Sequence, residues 1–132
     1  MSYDRSIRLD SDFDTAVAAV RQALADQGFG ILTEIDVRAT LKAKLDHDME
    51  DYLILGACNP PLAHRALEAD RSIGLLLPCN VVVRRDGDHT AVQALDPNTM
   101  VTLTGLPALG PVAAEATARL DAALAALAAL DA

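Results

Sequence analysis

The chain predicts an α+β fold: one domain whose largely antiparallel sheet carries helices on one face. Three observations carry this. Strand-length runs recur at Tyr3–Leu9, Ile31–Val37, Asp51–Cys58 and Cys79–Arg84,. Asp86-Gly87 is a tight-turn signal joining Val81–Val83 to Thr90–Leu95, which makes those strands antiparallel,. Helical spacing bounds the strands on both sides, first at Phe13, Val17, Val20 and Leu24, then at Leu120, Leu124 and Leu127,. The 132 residues fit a single domain over 1–132, with a core over about 3–100 and an Ala/Leu-rich helix over about 112–130,. A domain of this size buries roughly two-thirds of its unfolded surface.

The elements follow in order. Tyr3, Ile7 and Leu9 share one face of a first strand. Ser11-Asp12 caps the first helix, and Gly28 stops it,. Ile31, Thr33, Ile35 and Val37 alternate with Leu32, Glu34 and Asp36, a strand with an acidic pair on its polar side,. Thr40–Leu45 reads as a short helical turn and His47–Glu50 as loop. Asp51–Cys58 is a buried strand. Asn59 caps the next helix, because Pro60 and Pro61 need no amide donors in a first turn,. Leu62, Ala66 and Leu67 give that helix its inner face, and it ends near Asp70. Ser72–Leu77 reads as strand, cut from Cys79–Arg84 by Pro78,. Asp96-Pro97 ends the hairpin, and a Pro/Gly-rich connection leads to the last helix, with Leu130 near its apolar stripe.

Bulk properties narrow the function. Hydrophobic residues are 52% and charged residues 23%, which excludes a disordered chain,. The net charge of −8 repels phosphate backbones and anionic bilayers, so neither nucleic acid nor membrane is an expected partner,. Aromatic residues are 3% with no Trp, so the core is aliphatic and there is no stacking platform for bases,. Pro97–Ala114 lacks charge, but Gly105, Pro107, Gly110 and Pro111 interrupt it, so it is no membrane helix,. Met1-Ser2-Tyr3-Asp4-Arg5 leads into polar sequence rather than an apolar run, from which a cytosolic chain is expected,. Its two cysteines are then thiols rather than a disulfide.

Cys58 has two readings. It precedes a helix whose cap is Asn59, and a helix N-terminus stabilises thiolate, making Cys58 a reactive or sulfur-carrying thiol. Alternatively it is a small buried hydrophobe at a tight turn. Cys79 repeats the pattern with Asn80; if the two strands are neighbours, both thiols could face one pocket. Each asparagine either donates its amide to a ligand or bonds its own backbone in a turn. Cys58, Cys79 and His64, with Glu34, are the available metal-ligand types, but there is no CxxC or HxxxH and no native metal is expected,. Glu34 and Asp36 are either an acid–base pair or a solvated polar face. The chain holds no Gly-x-Gly-x-x-Gly, Walker A or Gly-x-Ser-x-Gly pattern,. Arg71, Arg84 and Arg85 are either an anion site or simply solvated. No cofactor follows from these residues.

Three stretches together carry a family resemblance. They are Gly28-Phe29 followed by Thr33-Glu34-Ile35-Asp36-Val37; Leu55-Gly56-Ala57-Cys58-Asn59-Pro60 with Ala63; and Leu76-Leu77-Pro78-Cys79-Asn80-Val81. In this order they resemble domain-of-unknown-function family 302, over roughly Tyr3–Met100; the Ala-rich tail after Gly110 is least characteristic. The resemblance implies a TATA-binding-protein-like sheet topology and a homodimer, and carries no mechanism across.

The leading expectation is a homodimeric cytosolic domain with a Cys58/Cys79 pocket that binds a small molecule or handles sulfur. The rival is an interaction module with structural cysteines. An enzyme using Glu34 as base stands third, because no complete catalytic constellation can be assembled from spacing.

Overall fold

The computed structural model describes residues 3–131; Met1, Ser2 and Ala132, at the ends of the expected 1–132 domain, lie outside the described residues. Strands β1 (Asp4–Leu9), β2 (Gly30–Asp36), β3 (Tyr52–Cys58), β4 (Cys79–Asp86) and β5 (His89–Leu95) form one sheet in the order β1-β5-β4-β3-β2. Every ladder is antiparallel. Helices α1 (Phe13–Asp26), α2 (Val37–Leu45), α3 (Pro60–Ala69), α4 (Asn98–Thr104) and α5 (Gly110–Leu130) connect or cover the strands, with 3-10 turns at Arg71–Leu76 and Pro107–Leu109. Among the described residues no helix is long and apolar enough to cross a membrane.

The pleat of the sheet sorts its side chains. Leu53, Leu55 and Ala57 on β3, Val81 and Val83 on β4, and Val92 and Ala94 on β5 share one face and are buried. Val20 and Leu24 of α1 and Leu120 and Leu127 of α5 pack against them, so both helices cover that face. The alternate residues Tyr52, Ile54, Val82 and Arg84 are only half-buried. A second cluster lies apart from the first. It joins Leu62 and Ala66 of α3, Ile73, Met100 of α4, Leu109, and Val112 and Ala113 of α5. The long helix α5 therefore belongs to both clusters.

Local expectations hold where a single side chain decides them. The Asp12 carboxylate accepts from the Thr15 backbone N–H at 2.8 Å and starts α1. Gly28 follows α1 with φ of +83°, a conformation that favours glycine,.

Four segments differ from the sequence reading. Asp36 ends β2 by capping α2, its carboxylate accepting from Ala39 N–H at 2.8 Å, so Val37 opens a helix rather than closing a strand. Arg71–Leu76 is a 3-10 helix, not a strand: Asp70 accepts from Ser72 N–H and caps it, and Ile73 alone of its residues is buried. The Pro/Gly-rich connection contains α4, anchored by Met100 and closed by Gly105 at φ of +68°. Leu130 is 75% exposed, because the buried stripe of α5 ends at Leu127.

Candidate functional site

The seam between the two clusters is incompletely filled. A partly open, almost wholly apolar cleft of about 50 Å³ lies there, at the end of β3 and the start of β4. Phe29, Ala57 and Cys79 form its sheet side, Leu62 and Ala66 of α3 and Met100 of α4 its other side, with Val112 and Ala116 of α5 between. Cys58, Asn59, Leu77 and Pro78 complete the wall, and the Leu77–Pro78 peptide bond is cis. Neighbouring strands thus bring both cysteines to one cavity.

Cys79 pairs with Ala57 across the ladder and lies on the helix-covered face. Its Sγ–H donates to the Leu95 carbonyl at 3.6 Å. Burial, with the Asp96 carboxylate adding to it, pushes the Cys79 thiol up to about 11,. At neutral pH Cys79 is a thiol. Cys58 ends β3 and is half-buried; both sulfurs are free.

Asn59 is 8% exposed and caps α3, its Oδ1 accepting from the Leu62 N–H at 3.2 Å. Its amide also lies against the end of α1: a Cβ added at Gly28 would stand 3.1 Å from Asn59 Nδ2. Turn chemistry therefore uses the Asn59 carbonyl, and one wall of the cleft is fixed by it. Asn80 is exposed, pairs with Gly56 on the opposite face, and lies off the cleft wall.

The other candidates lie apart from the cleft. The Glu34 carboxylate meets Arg21 Nη2 at 2.6 Å on edge strand β2, and the neighbouring carboxylate of Asp36 is occupied as the cap of α2. His64 is exposed on α3 and does not line the cleft. Among the described residues no three His, Cys, Asp or Glu side chains come together to hold a metal ion. The arginines also diverge. Arg84 donates to Gln93 Oε1 at 3.0 Å, Arg85 to Thr90 Oγ1 at 2.9 Å, and Arg71 faces Glu68 at 3.6 Å.

A family model described as domain of unknown function DUF302 matches residues 5–127. The chain belongs to the DUF302 family. The match runs into α5, so the DUF302 unit includes most of the Ala-rich tail and not only the strand-rich part. The crystal structure of an uncharacterized conserved DUF302 protein from Bacillus stearothermophilus superposes with a TM-score of 0.88. It is 27% identical, and the similarity covers 94% of this chain and 97% of that one. No curated protein matches.

Several cleft residues of this DUF302 chain carry no local sequence signal that marks them as site residues. Met100 falls in a segment whose Pro and Gly residues signal connection, and Val112 and Ala116 lie in a helix whose composition is nearly uniform. Phe29, one of two phenylalanines, sits beside Gly28 in the family pattern, and that position was the one available signal.

Proposed function

We propose that this DUF302 domain binds a small ligand in the cleft between α3, α4 and α5, with Cys58 and Cys79 on its wall. One observation carries the reading: the gap where two packed clusters fail to meet is apolar, open on one side, and lined by both cysteines of the chain. Protein interiors hold few voids larger than a water molecule, so such a gap calls for an occupant. Its size limits that occupant. An apolar cavity of about 150 Å³ holds benzene; a cleft of about 50 Å³ suits a ligand of one to a few heavy atoms, or the tip of a longer one. Any sulfur-carrying role falls to Cys58 beside the start of α3, because Cys79 keeps its proton. Two unpaired cysteines fit a reducing, cytosolic compartment,.

Methyl-resolved NMR under xenon pressure, followed by a panel of short alkyl thiols and sulfides, tests this. Shifts confined to Ala57, Ala63, Ala66 and Met100 are expected. Unchanged methyl signals throughout the panel, with Cys58 and Cys79 inert to alkylation until the protein unfolds, would favour structural cysteines instead.

A homodimer is the second part of the proposal. Edge strand β2 is almost wholly exposed and presents Leu32 at 66% and Ile35 at 48%. An open edge with apolar side chains is a ready surface for a second copy. Sedimentation should show a dimer that Ile35→Lys converts to monomer; a wild-type monomer at tens of micromolar would overturn this part.

A further inference from the structure

The wall of the cleft carries one unused hydrogen-bond donor. None of the residues lining the cleft is charged, and Cys79 Sγ–H already donates to the Leu95 carbonyl. Asn59 lines the same wall and is 8% exposed. Its Oδ1 is taken by the Leu62 N–H, which fixes the amide so that Nδ2 is the free end. Among the described residues nothing accepts a hydrogen bond from Nδ2. Resting on the small-ligand reading above, we infer that the ligand is a short neutral carbonyl compound, an aliphatic ketone or aldehyde. Its oxygen accepts from Asn59 Nδ2, and its alkyl part lies against Leu62, Ala66 and Met100.

The local sequence leaves that donor alone. Pro60 and Pro61 bring no N–H to the first turn of α3,. The Leu62 N–H goes to Asn59 Oδ1 at 3.2 Å and the Ala63 N–H to the Asn59 carbonyl at 2.9 Å. The start of α3 therefore lacks the free amides with which a helix end cradles a phosphate. One donor suits one acceptor.

Charge points to the same class. Moving a carboxylate into an apolar cleft strips its water and costs far more than moving a neutral carbonyl. The neighbouring cation is already engaged. A Cβ built at Gly28 would stand 3.1 Å from Asn59 Nδ2 and 3.4 Å from Arg119 Nη1, so the two groups flank one point. Arg119 Nη1, however, donates to the Gln27 carbonyl at 3.1 Å, and Glu115 faces Arg119 Nε at 3.4 Å. A buried donor without an acceptor is costly, and an occupant that brings a carbonyl oxygen relieves the cost where a hydrocarbon does not. Binding is non-covalent: no bond breaks and no proton moves.

The test is a methyl-resolved NMR titration of the full chain with three probes of one size. Acetone carries the carbonyl, isobutene has a CH₂ group in place of its oxygen, and acetate carries a charge. Acetone should shift the methyls of Ala57, Ala63, Ala66 and Met100 together with the side-chain amide signal of Asn59. Acetate at the same concentration should leave them unmoved. Asn59→Asp keeps an acceptor for the Leu62 N–H and removes the donor. Its affinity for acetone should fall about tenfold or more, while that for isobutene changes less than about twofold. Equal weakening towards both probes would assign Asn59 to the fold of the wall and overturn the inference. Binding of acetate in preference to acetone would overturn it as well. So would an Asn59 amide signal in wild type that stays still while acetone fills the cleft, a reading that depends on no variant. The xenon experiment separates the two readings. Xenon shifts without acetone binding leave the small-ligand reading standing and remove the carbonyl class, whereas a cleft unresponsive to both removes both.

Discussion

Cys79 stands directly across the β3–β4 ladder from Ala57, one residue short of Cys58. Both residues therefore border one cleft from adjacent strands without being a directly opposed cross-strand pair. Direct opposition puts side chains on the same face, while a one-residue offset turns them to opposite faces of the pleat. Both cysteines are free, and no disulfide joins β3 to β4 at the cleft.

The thiol of Cys79 makes stability depend on alkaline pH. Its pKa is raised from 9.0 to about 11, so the folded state disfavours the thiolate. A raised folded pKa contributes stability that is full below pH 9 and declines as pH rises through 9 to 11. The loss is on the order of 2 kcal/mol. Chemical denaturation at pH 7, 9 and 11 should show it in wild type, and Cys79→Ala should lack that part of the decline. The same burial predicts slow alkylation of Cys79 at pH 8 in the native protein.

Gly56 is required by close approach. A Cβ built there would overlap Thr33 Oγ1 and come within 2.8 Å of Pro78 Cγ. Gly56→Ala should destabilise by about 1–3 kcal/mol, as overpacking does. Thr33→Ala removes one of the two obstacles, so a double-mutant cycle by urea denaturation should show partial recovery; fully additive losses would mean that Thr33 is not the obstacle.

Asn59 joins the turn to the cleft wall. Asn59→Ala loses the cap on Leu62 N–H and should cost about 1 kcal/mol, while Asn59→Asp keeps an acceptor and should cost less,. Thermal melts of both variants check the order.

Thr90 is fully buried and satisfies two groups at once. Its hydroxyl donates to the Ser11 carbonyl at 2.8 Å and accepts from Arg85 Nη1 at 2.9 Å. Thr90→Val keeps the shape but leaves these polar groups short of a partner, at a cost of about 1–3 kcal/mol. Thr90→Ser should be milder. Equal losses in the two variants would assign the effect to the methyl group instead.

How much was legible follows the range of the interaction. Asp12 and Asn59 announce helix starts because a cap is decided within three residues. The sheet and its helix-covered face were legible because alternation in β3, β4 and β5 reports one buried side. Ser72–Leu77 misled because an apolar run of that length fits strand and 3-10 turn alike, and only packing of Ile73 in the second cluster decides. The acidic pair Glu34 and Asp36 lies on one strand, as alternation predicts, but an ion pair with Arg21, distant in sequence, and a cap on α2 use its two charges. The cysteines were legible as a pair. Phe29, Met100 and Val112 as their companions were not, since the cleft is assembled from five separate stretches of the chain that no local pattern links.

The second cluster has little sheet beneath it, and α5 connects it to the first. Twenty-one residues at 1.5 Å each make α5 a rod of about 30 Å, with Val112 and Ala113 seated at one end and Leu120, Leu124 and Leu127 at the other,. Such a rod makes the domain a single cooperative unit. Any displacement that frees its tail from β1 and α1 also loosens the walls around Cys58 and Cys79, so occupancy of the cleft and the melting of the distant sheet edge are coupled. An occupant of the cleft should therefore slow amide exchange not only in α3 and α4 but along the whole of α5, including turns that never approach it.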